Sequence, residues 1–237
     1  MNKTKIDWCD STINPVVGCS RNCPYCYARI MCKRFGKKWG VNDFSKPVFF
    51  PERLKDFKSK TPKSIFINSM SDIAFWTPKQ LKETITAMLE NTQHKYIALT
   101  KNFMRYLSIF TIVNLTRELL SGIRKVFFVG ETITKQTDIR FDTINGMCVS
   151  ADFINIEPIL EPIDLSEKLS NNVACRLIII GAETGNRKDK VIPKKEWIDS
   201  LVEQADKFGI RVFMKESLKE LMGTDFRQDE LIWEATK

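Results

Sequence analysis

The chain has 237 residues, of which 43% are hydrophobic and 28% are charged, a balance that excludes disordered and fibrous proteins. No apolar run is long enough to span a membrane, and the polar start lacks a signal peptide's layout, so we expect a cytoplasmic protein with no membrane partner. Seven cysteines, an odd number, favour metal binding or redox chemistry over a disulfide framework in a reducing compartment.

The formal net charge of +8 is concentrated in one basic segment, residues 29–63, which holds eleven Lys or Arg and three acidic residues. Such a segment can bind nucleic acid, attract an acidic redox partner or keep an exposed face solvated. Charge alone does not choose among these three roles.

In chain order, residues 1–63 are predicted to form an N-terminal segment that carries a cysteine motif and the basic region. Residues 64–217 alternate β-branched apolar runs with longer amphipathic segments, which is the pattern of βα units around a parallel sheet. The predicted strands are residues 64–69, 95–100, 125–130, 152–157, 176–181 and 211–215. Residues 218–237 are predicted to be a C-terminal extension of the same single domain.

Three helices are predicted, at residues 78–93, 102–120 and 196–208. Thr77 is expected to cap the first, with Pro78 at its first position, and Gly209 to end the last. The expected fold is α/β, a partial (β/α)6 TIM-like barrel of parallel strands with an N-terminal cysteine-motif loop.

Polar residues follow nearly every predicted strand, and in (β/α) barrels the catalytic groups sit at these strand ends. Many such residues are only helix caps and turn formers, and that explanation suffices for Ser71, Asp72, Thr132 and Thr184. It is weaker for four carboxylates, which need cationic or hydrogen-bonding partners if they converge. These are Glu131, Glu157, Glu183 and Glu216. We therefore expect a shared site at the strand ends.

The strongest chemical signal is the run of three cysteines Cys19, Cys23 and Cys26. Three soft thiolates in one compact loop can bind three corners of a 4Fe-4S cluster and leave one iron open for chemistry. A structural zinc ion would need a fourth ligand, for which Cys9, Cys32 and the distant His94 are candidates. Without that role, Cys9 and Cys32 are expected to be free thiols, and His94 is expected to bind carbonyl groups near a helix end.

The C-x3-C-x2-C spacing, with Tyr25 before the last cysteine, resembles the signature of the radical S-adenosylmethionine (SAM) superfamily. The resemblance extends over residues 6–217 to an often phage-encoded branch that is distantly reminiscent of spore photoproduct lyase. It rests on the segments IDWCDSTINPVVGC, FINSMSDI, YIALTK, FINIEPILEPIDL, IIIGAETGNR and VFMKES. It implies that the three cysteines hold a 4Fe-4S cluster whose fourth iron binds SAM, and that reduction cleaves SAM to methionine and a 5′-deoxyadenosyl radical.

The resemblance also implies where SAM lies. The superfamily often holds the SAM amino group after the second barrel strand, where this chain has Asn68, Ser69, Ser71 and Asp72. Later strand ends would contact the ribose and carboxylate, through Thr100, Lys101, Glu131 and Glu157. Gly181 and Glu183 would lie beside the adenine or the substrate, and Tyr25 would shield the cluster, contact adenine or pack the loop. The familiar Gly-Gly-Glu form of the amino-binding motif is absent.

Two classes of function stay open from the sequence. The first is a radical SAM enzyme that is reduced by an acidic flavodoxin or ferredoxin. Its substrate is unidentified, and nucleic acid is one candidate. The second is a nucleic-acid-binding or adaptor protein with a structural metal, whose basic segment grips phosphates.

Overall fold

The computed structural model describes residues 2–141, 143–144, 147–171 and 174–234. The chain has a mixed α/β fold and divides into two compact units, residues 1–128 and 129–237. The division of one domain into segments 1–63, 64–217 and 218–237 stays a prediction, and its last residues, 235–237, lie outside the described part of the chain.

The first unit contains six short strands. They are β1 Asn2–Lys3, β2 Ser11–Thr12, β3 Val16–Val17, β4 Val48–Phe49, β5 Ser64–Phe66 and β6 Lys95–Thr100. The main sheet of this unit runs in the order β1, β2, β5, β6. Strand β1 is antiparallel to β2, whereas β2, β5 and β6 are parallel to one another. Strands β3 and β4 form a separate antiparallel pair.

Four α-helices complete the first unit. They are α1 Tyr27–Trp39, α2 Pro78–Leu89, α3 Phe103–Val113 and α4 Arg117–Ile123. The predicted cap of α2 is confirmed, because the Thr77 hydroxyl accepts from the Gln80 amide and the Gln80 side chain accepts from the Thr77 amide. A single helix over 102–120 is wrong. Asn114 has a left-handed φ of 51° that ends α3, and Thr116 caps a new helix.

The second unit is built on four parallel strands. Its strands are β7 Phe127–Thr132, β8 Thr143–Ile144, β9 Met147–Cys148, β10 Phe153–Ile156, β11 Leu177–Ile180 and β12 Arg211–Met214. Its helices are α5 Ser166–Ser170, α6 Lys195–Lys207 and α7 Lys219–Met222. Strand β7 begins two residues before the division between the units, and the parallel order is β7, β10, β11, β12.

The core of the second unit lies between one face of these strands and α6. Alternate residues such as Ile154, Ile156, Ile178 and Ile180 point to this side and are fully buried with Leu201 of α6. Each such side chain contributes about 1.5–3 kcal/mol when it leaves water. The opposite face of β10 carries Asn155, so polar groups are placed on the side away from this core.

All six predicted strands are present, and parallel pairing is confirmed within each unit. Strand β2 adds a parallel strand that the six-strand prediction missed, because Ser11 and Thr12 are too few and too polar to mark one. Among the described residues, no helix combines the length and the apolar character needed to cross a bilayer.

Candidate functional site

The cysteine loop leaves β3 at Gly18 and ends where α1 begins, with Cys26 at the N-cap position. The Gly18 amide donates to the Met70 carbonyl at 3.0 Å, and Gly18 forms a parallel bridge with Ser71. Gly18 has a φ of +118°, and a Cβ there would stand 2.9 Å from the Pro47 Cα and 3.0 Å from the Phe44 carbonyl oxygen. The loop therefore starts at a position that only glycine fills without strain, next to the segment that follows β5.

Two arginines fasten the loop to its surroundings. The Arg29 guanidinium donates to the carbonyls of Cys19 (3.2 Å) and Arg21 (2.7 Å) and lies 5.1 Å from the centre of the Phe44 ring. The Arg21 guanidinium donates to the Lys101 carbonyl at 3.1 Å, at the end of β6. The loop is thus tied both to α1 and to the strand ends of the first unit.

Two of the three thiols, those of Cys19 and Cys26, lie in a poorly solvated environment. Cys19 is 9% exposed and packs with Val17, Met70 and Phe44. The pKa of Cys19 is raised to about 12, mainly by burial, with a smaller contribution from negative charge on neighbouring groups such as Asp72, while the hydrogen bond from the Arg21 amide opposes the rise. Burial also raises the pKa of Cys26, while its hydrogen bond from the Arg29 amide lowers it. Burial therefore favours the neutral form of Cys19 and Cys26 unless a cation binds their sulfur atoms.

The chemistry of this donor set fits an iron–sulfur cluster or a soft metal, since both bind thiolates and keep them deprotonated. Within the described ranges, no three His, Cys, Asp or Glu side chains lie close enough together to hold a metal ion, so the three thiols are not arranged as metal ligands. Cys32, on α1, is buried in the same apolar cluster as Cys19, and its thiol lies 3.7 Å from the Val41 carbonyl oxygen.

The predicted residues after β5 lie beside the cysteine loop, and several of them form hydrogen bonds that hold nearby backbone. The Asn68 amide donates to the Leu99 carbonyl (2.6 Å) and accepts from the Leu99 amide (3.0 Å). Ser69 donates its hydroxyl to Asn14 at 3.1 Å, and the Ser69 carbonyl accepts from the Tyr27 hydroxyl. Asn14 is a positioning residue that the sequence did not suggest, and no local pattern marks it.

Asp72 is the central carboxylate of the first unit, at 7% exposure. It accepts from the Thr100 hydroxyl at 2.7 Å, from the Lys101 amide at 3.0 Å and from the Ala74 amide at 3.0 Å. These bonds fasten the end of β6 to the loop after β5. Ser71 accepts from the Trp76 indole at 3.0 Å, which is a structural contact.

Lys101 and Tyr25 meet, as the Lys101 ammonium lies 5.5 Å from the centre of the Tyr25 ring. Tyr25 belongs to the cysteine loop, so this contact is a further link between the loop and β6. The sequence-predicted residues of the first unit therefore form one neighbourhood. These are Cys19, Cys23, Cys26, Tyr25, Asn68, Ser69, Ser71, Asp72, Thr100 and Lys101.

In the second unit, Glu157 and Lys215 form an ion pair across β11. The ladder continues one residue past each strand, because the Gly181 amide donates to the Ile156 carbonyl and the Lys215 amide to the Ile180 carbonyl. A Cβ on Gly181 would stand 2.9 Å from Lys215 Cδ and 3.2 Å from Glu157 Cγ. Gly181 thus leaves the space in which the two side chains meet. Lys215 is a partner that sequence reasoning left out of the site.

The other predicted carboxylates of this unit also have cationic partners, and the exposed one, Glu216, pairs with Lys219 at 3.3 Å. The remaining two are buried. Glu131 and Lys168 form a buried ion pair at 2.8 Å, with side chains 6% and 8% exposed. Glu183 binds Arg187 through two hydrogen bonds of 2.6 and 2.8 Å, which hold the pKa of Glu183 below its usual range. These carboxylates therefore have the partners that their burial requires, and each pair lies within the second unit.

Two lone groups have plain structural roles. His94 is fully buried, and its Nε2 donates to the Phe57 carbonyl at 2.9 Å, in line with the expected carbonyl contact. The side-chain oxygen of Asn155, on β10, is buried without a hydrogen-bond partner among the described residues.

Comparisons with known proteins give one long match and two short ones. The model of a family described as "Protein of unknown function (DUF5131)" matches residues 3–223. An uncharacterized protein of Methanocaldococcus jannaschii is 41% identical over 75 residues, 30% of this chain and 27% of that protein. A protein of Pyrobaculum aerophilum named ornithine carbamoyltransferase is 43% identical over 61 residues, 24% of this chain and 20% of that protein. The chain thus spans at most 27% of the length of these curated relatives, and no solved structure matches it.

Proposed function

We propose that the chain, which belongs to the DUF5131 family, is a radical SAM enzyme. Cys19, Cys23 and Cys26 would hold a 4Fe-4S cluster, and SAM would occupy its open iron. When bound, the reduced cluster supplies the electron that cleaves SAM into methionine and a 5′-deoxyadenosyl radical. The substrate of that radical is unidentified, and nucleic acid is one class to be tested.

The observation that carries the proposal is the placement of three cysteines in a single ordered loop at the strand ends of the first unit. Arg29 fixes two carbonyls of this loop, and Gly18 fixes its start against Met70. The apolar neighbours Val17, Phe44 and Met70 exclude water around Cys19. An enzyme that handles a radical needs such a preorganised and dry loop, since water and loose geometry divert reactive intermediates.

SAM contacts are part of the same proposal. The hydrogen bonds of Asn68, Ser69 and Asp72 hold nearby backbone and the side chains of Asn14 and Thr100. Their role toward SAM would therefore be to shape the loop that receives it. Ser71, Thr100, Lys101 and Tyr25 border the same loop in the first unit. In the second unit the proposed contacts are Glu131, Glu157, Gly181 and Glu183, at ends of strands that the partial (β/α)6 barrel would present to the ligand.

The electron donor is proposed to be an acidic flavodoxin or ferredoxin, attracted by the basic segment 29–63. The rival proposal is a structural metal in a nucleic-acid-binding or adaptor protein, with the same basic segment on phosphates. The two proposals differ in the metal they require and in the response to SAM.

The deciding experiment is anaerobic iron and sulfide analysis of the reconstituted full chain, followed by dithionite and SAM. The variant Cys19→Ala, Cys23→Ala, Cys26→Ala is compared with the wild type, and Cys9→Ala and Cys32→Ala serve as matched controls that remove a thiol outside the loop. We expect about four irons per chain in the wild type and in both controls, loss of iron in the triple variant, and 5′-deoxyadenosine on reduction. Bound zinc alone, or iron without SAM cleavage, would reject the enzyme and support the rival.

A further inference from the structure

We propose that the outward side of α1 is a docking surface for an acidic protein. This surface, the α1 face, consists of Tyr27, Ile30, Met31, Arg34, Phe35 and Lys38. The residues follow the spacing i, i+3, i+4, i+7, i+8 and i+11, which places them along one side of a helix. The inner side of the same helix is marked by the buried residues Ala28, Cys32 and Gly36.

The α1 face exposes four large apolar side chains to solvent. Tyr27, Ile30, Met31 and Phe35 are 51%, 55%, 39% and 47% exposed. The other large hydrophobic residues that are exposed in the described ranges are spread over four separate segments. These are Ile112, Leu119, Phe141 and Ile192. Single exposed apolar residues are ordinary on protein surfaces, whereas a continuous row along one helix is typical of a binding surface.

Cationic side chains lie within and beside the α1 face. Arg34 and Lys38 lie within the α1 face, and Lys33 and Lys37 flank it, all exposed. None of these four forms an ion pair with a described residue. The +8 net charge of the chain resides in the segment 29–63, to which this helix belongs. The charge that complements the surface is therefore negative.

The composition of the face favours a protein over a single nucleic-acid strand. Nucleic acid strands stack their bases on open aromatic faces. Here two of the four apolar side chains, Ile30 and Met31, have no ring on which a base could stack. The Phe35 ring already contacts the Trp39 ring, with centroids 5.7 Å apart. Aromatic residues, Met and Arg are the types enriched where proteins meet.

The position of the face suggests what the partner does, and this step rests on the proposed function. Helix α1 begins directly after Cys26, and the Tyr27 hydroxyl donates to the Ser69 carbonyl beside the cysteine loop. A protein seated on the α1 face would lie next to that loop. An electron carrier docked there would be oxidised by one electron as the cluster is reduced by one.

The test measures the affinity of the full chain for a purified flavodoxin, by isothermal titration calorimetry at low and at high salt. Ile30→Ser with Phe35→Ser removes apolar area from the face, and Ile112→Ser with Ile192→Ser is the matched control at residues 65% and 77% exposed. Arg34→Glu with Lys38→Glu reverses charge on the face, and Lys82→Glu with Lys188→Glu is its control. Circular dichroism verifies that each variant is folded.

We expect binding that weakens as salt rises, a loss of affinity of about tenfold or more in each face variant, and changes of no more than about twofold in the controls. The face variants should retain SAM cleavage driven by dithionite and lose that driven by flavodoxin. No binding of flavodoxin, equal effects of face and control variants, or tighter binding of a single-stranded oligonucleotide through the same residues would overturn the proposal.

The same titration on the triple cysteine variant separates the two proposals. Binding that persists in this variant shows that docking does not depend on a cluster, so docking would stand even if the wild type held no iron. Iron and SAM cleavage in a wild type that does not bind flavodoxin would reject docking and leave the proposed function intact.

Discussion

Replacing Gly18 by alanine tests whether the start of the cysteine loop is as constrained as the structure indicates. Two costs add at this position. The φ of +118° is strained for any residue with a side chain, at about 1–3 kcal/mol. The added Cβ would also stand 2.9 Å from the Pro47 Cα, 3.0 Å from the Phe44 oxygen and 3.1 Å from the Lys46 oxygen. All three are backbone atoms, so crowding contributes about another 1–3 kcal/mol.

Gly40 supplies the matched control. It too has a positive φ, +77°, but nothing lies within 4 Å of the position that its Cβ would take. Gly40→Ala should therefore lose only the backbone contribution, about 1–2 kcal/mol. The difference between the two variants isolates the crowding around Gly18.

Urea unfolding followed by circular dichroism measures both losses. We expect the free energy of unfolding to fall by roughly 2–6 kcal/mol in Gly18→Ala, and to fall further than in Gly40→Ala by about 1–3 kcal/mol, the contribution of crowding. The proposed function adds a second readout, since iron per folded chain should fall in Gly18→Ala alone. Equal losses of stability in the two variants would refute the reasoning, because crowding would then have no measurable cost.

Three further predictions concern stability. Burial lowers the pKa of His94, so the free energy of unfolding should be highest above the unfolded pKa, about 6.5, and should fall as the pH drops below it. His94→Gln should flatten this slope between pH values of about 7 and 5. Because His94 is the sole histidine of the chain, no other imidazole can produce the slope. Glu131→Gln leaves the Lys168 ammonium buried without its anion and should cost about 3–5 kcal/mol in urea unfolding, whereas Glu131→Leu with Lys168→Leu should recover most of the loss, and equal losses in the two would contradict a buried-charge cost. Thr77→Ala removes the α2 cap and should cost about 1 kcal/mol by thermal unfolding, while an unchanged midpoint would mean that water replaces the hydroxyl.

The elements that the sequence predicted well are those whose signal is local. Strand β6 has the predicted bounds, residues 95–100, since a β-branched and aromatic run meets polar residues at both ends. The break between α3 and α4 was missed because apolar residues continue through it. The break is marked by Asn114, whose left-handed backbone ends α3, followed two residues later by Thr116, which caps α4. Neither residue alone is a strong signal in the sequence.

The candidate site divides in the same way. The cysteine spacing is contained in eight residues, so it can be read directly from the chain. Arg29, Asn14 and Lys215 support predicted residues through contacts that join distant parts of the sequence, 58 residues apart for Lys215 and Glu157. The pairing of Glu131 with Lys168 was also missed: the register of β7 with β10 places Glu131 level with Ile154, on the side where Lys168 packs, and its contact with a ligand stays a prediction. Such pairings depend on strand register, which a single sequence does not specify.

The amide of Asn68 acts as one more rung of the ladder between β5 and β6. Its two polar atoms bind the two polar atoms of the Leu99 backbone, as a neighbouring peptide group would. This rung aligns the chain after β5 with the last residues of β6, and the bonds of Asp72 to Thr100 and Lys101 add a second support a few residues further on. A change at Asp72 alone should therefore leave the two strand ends side by side, because the Asn68 rung still joins them.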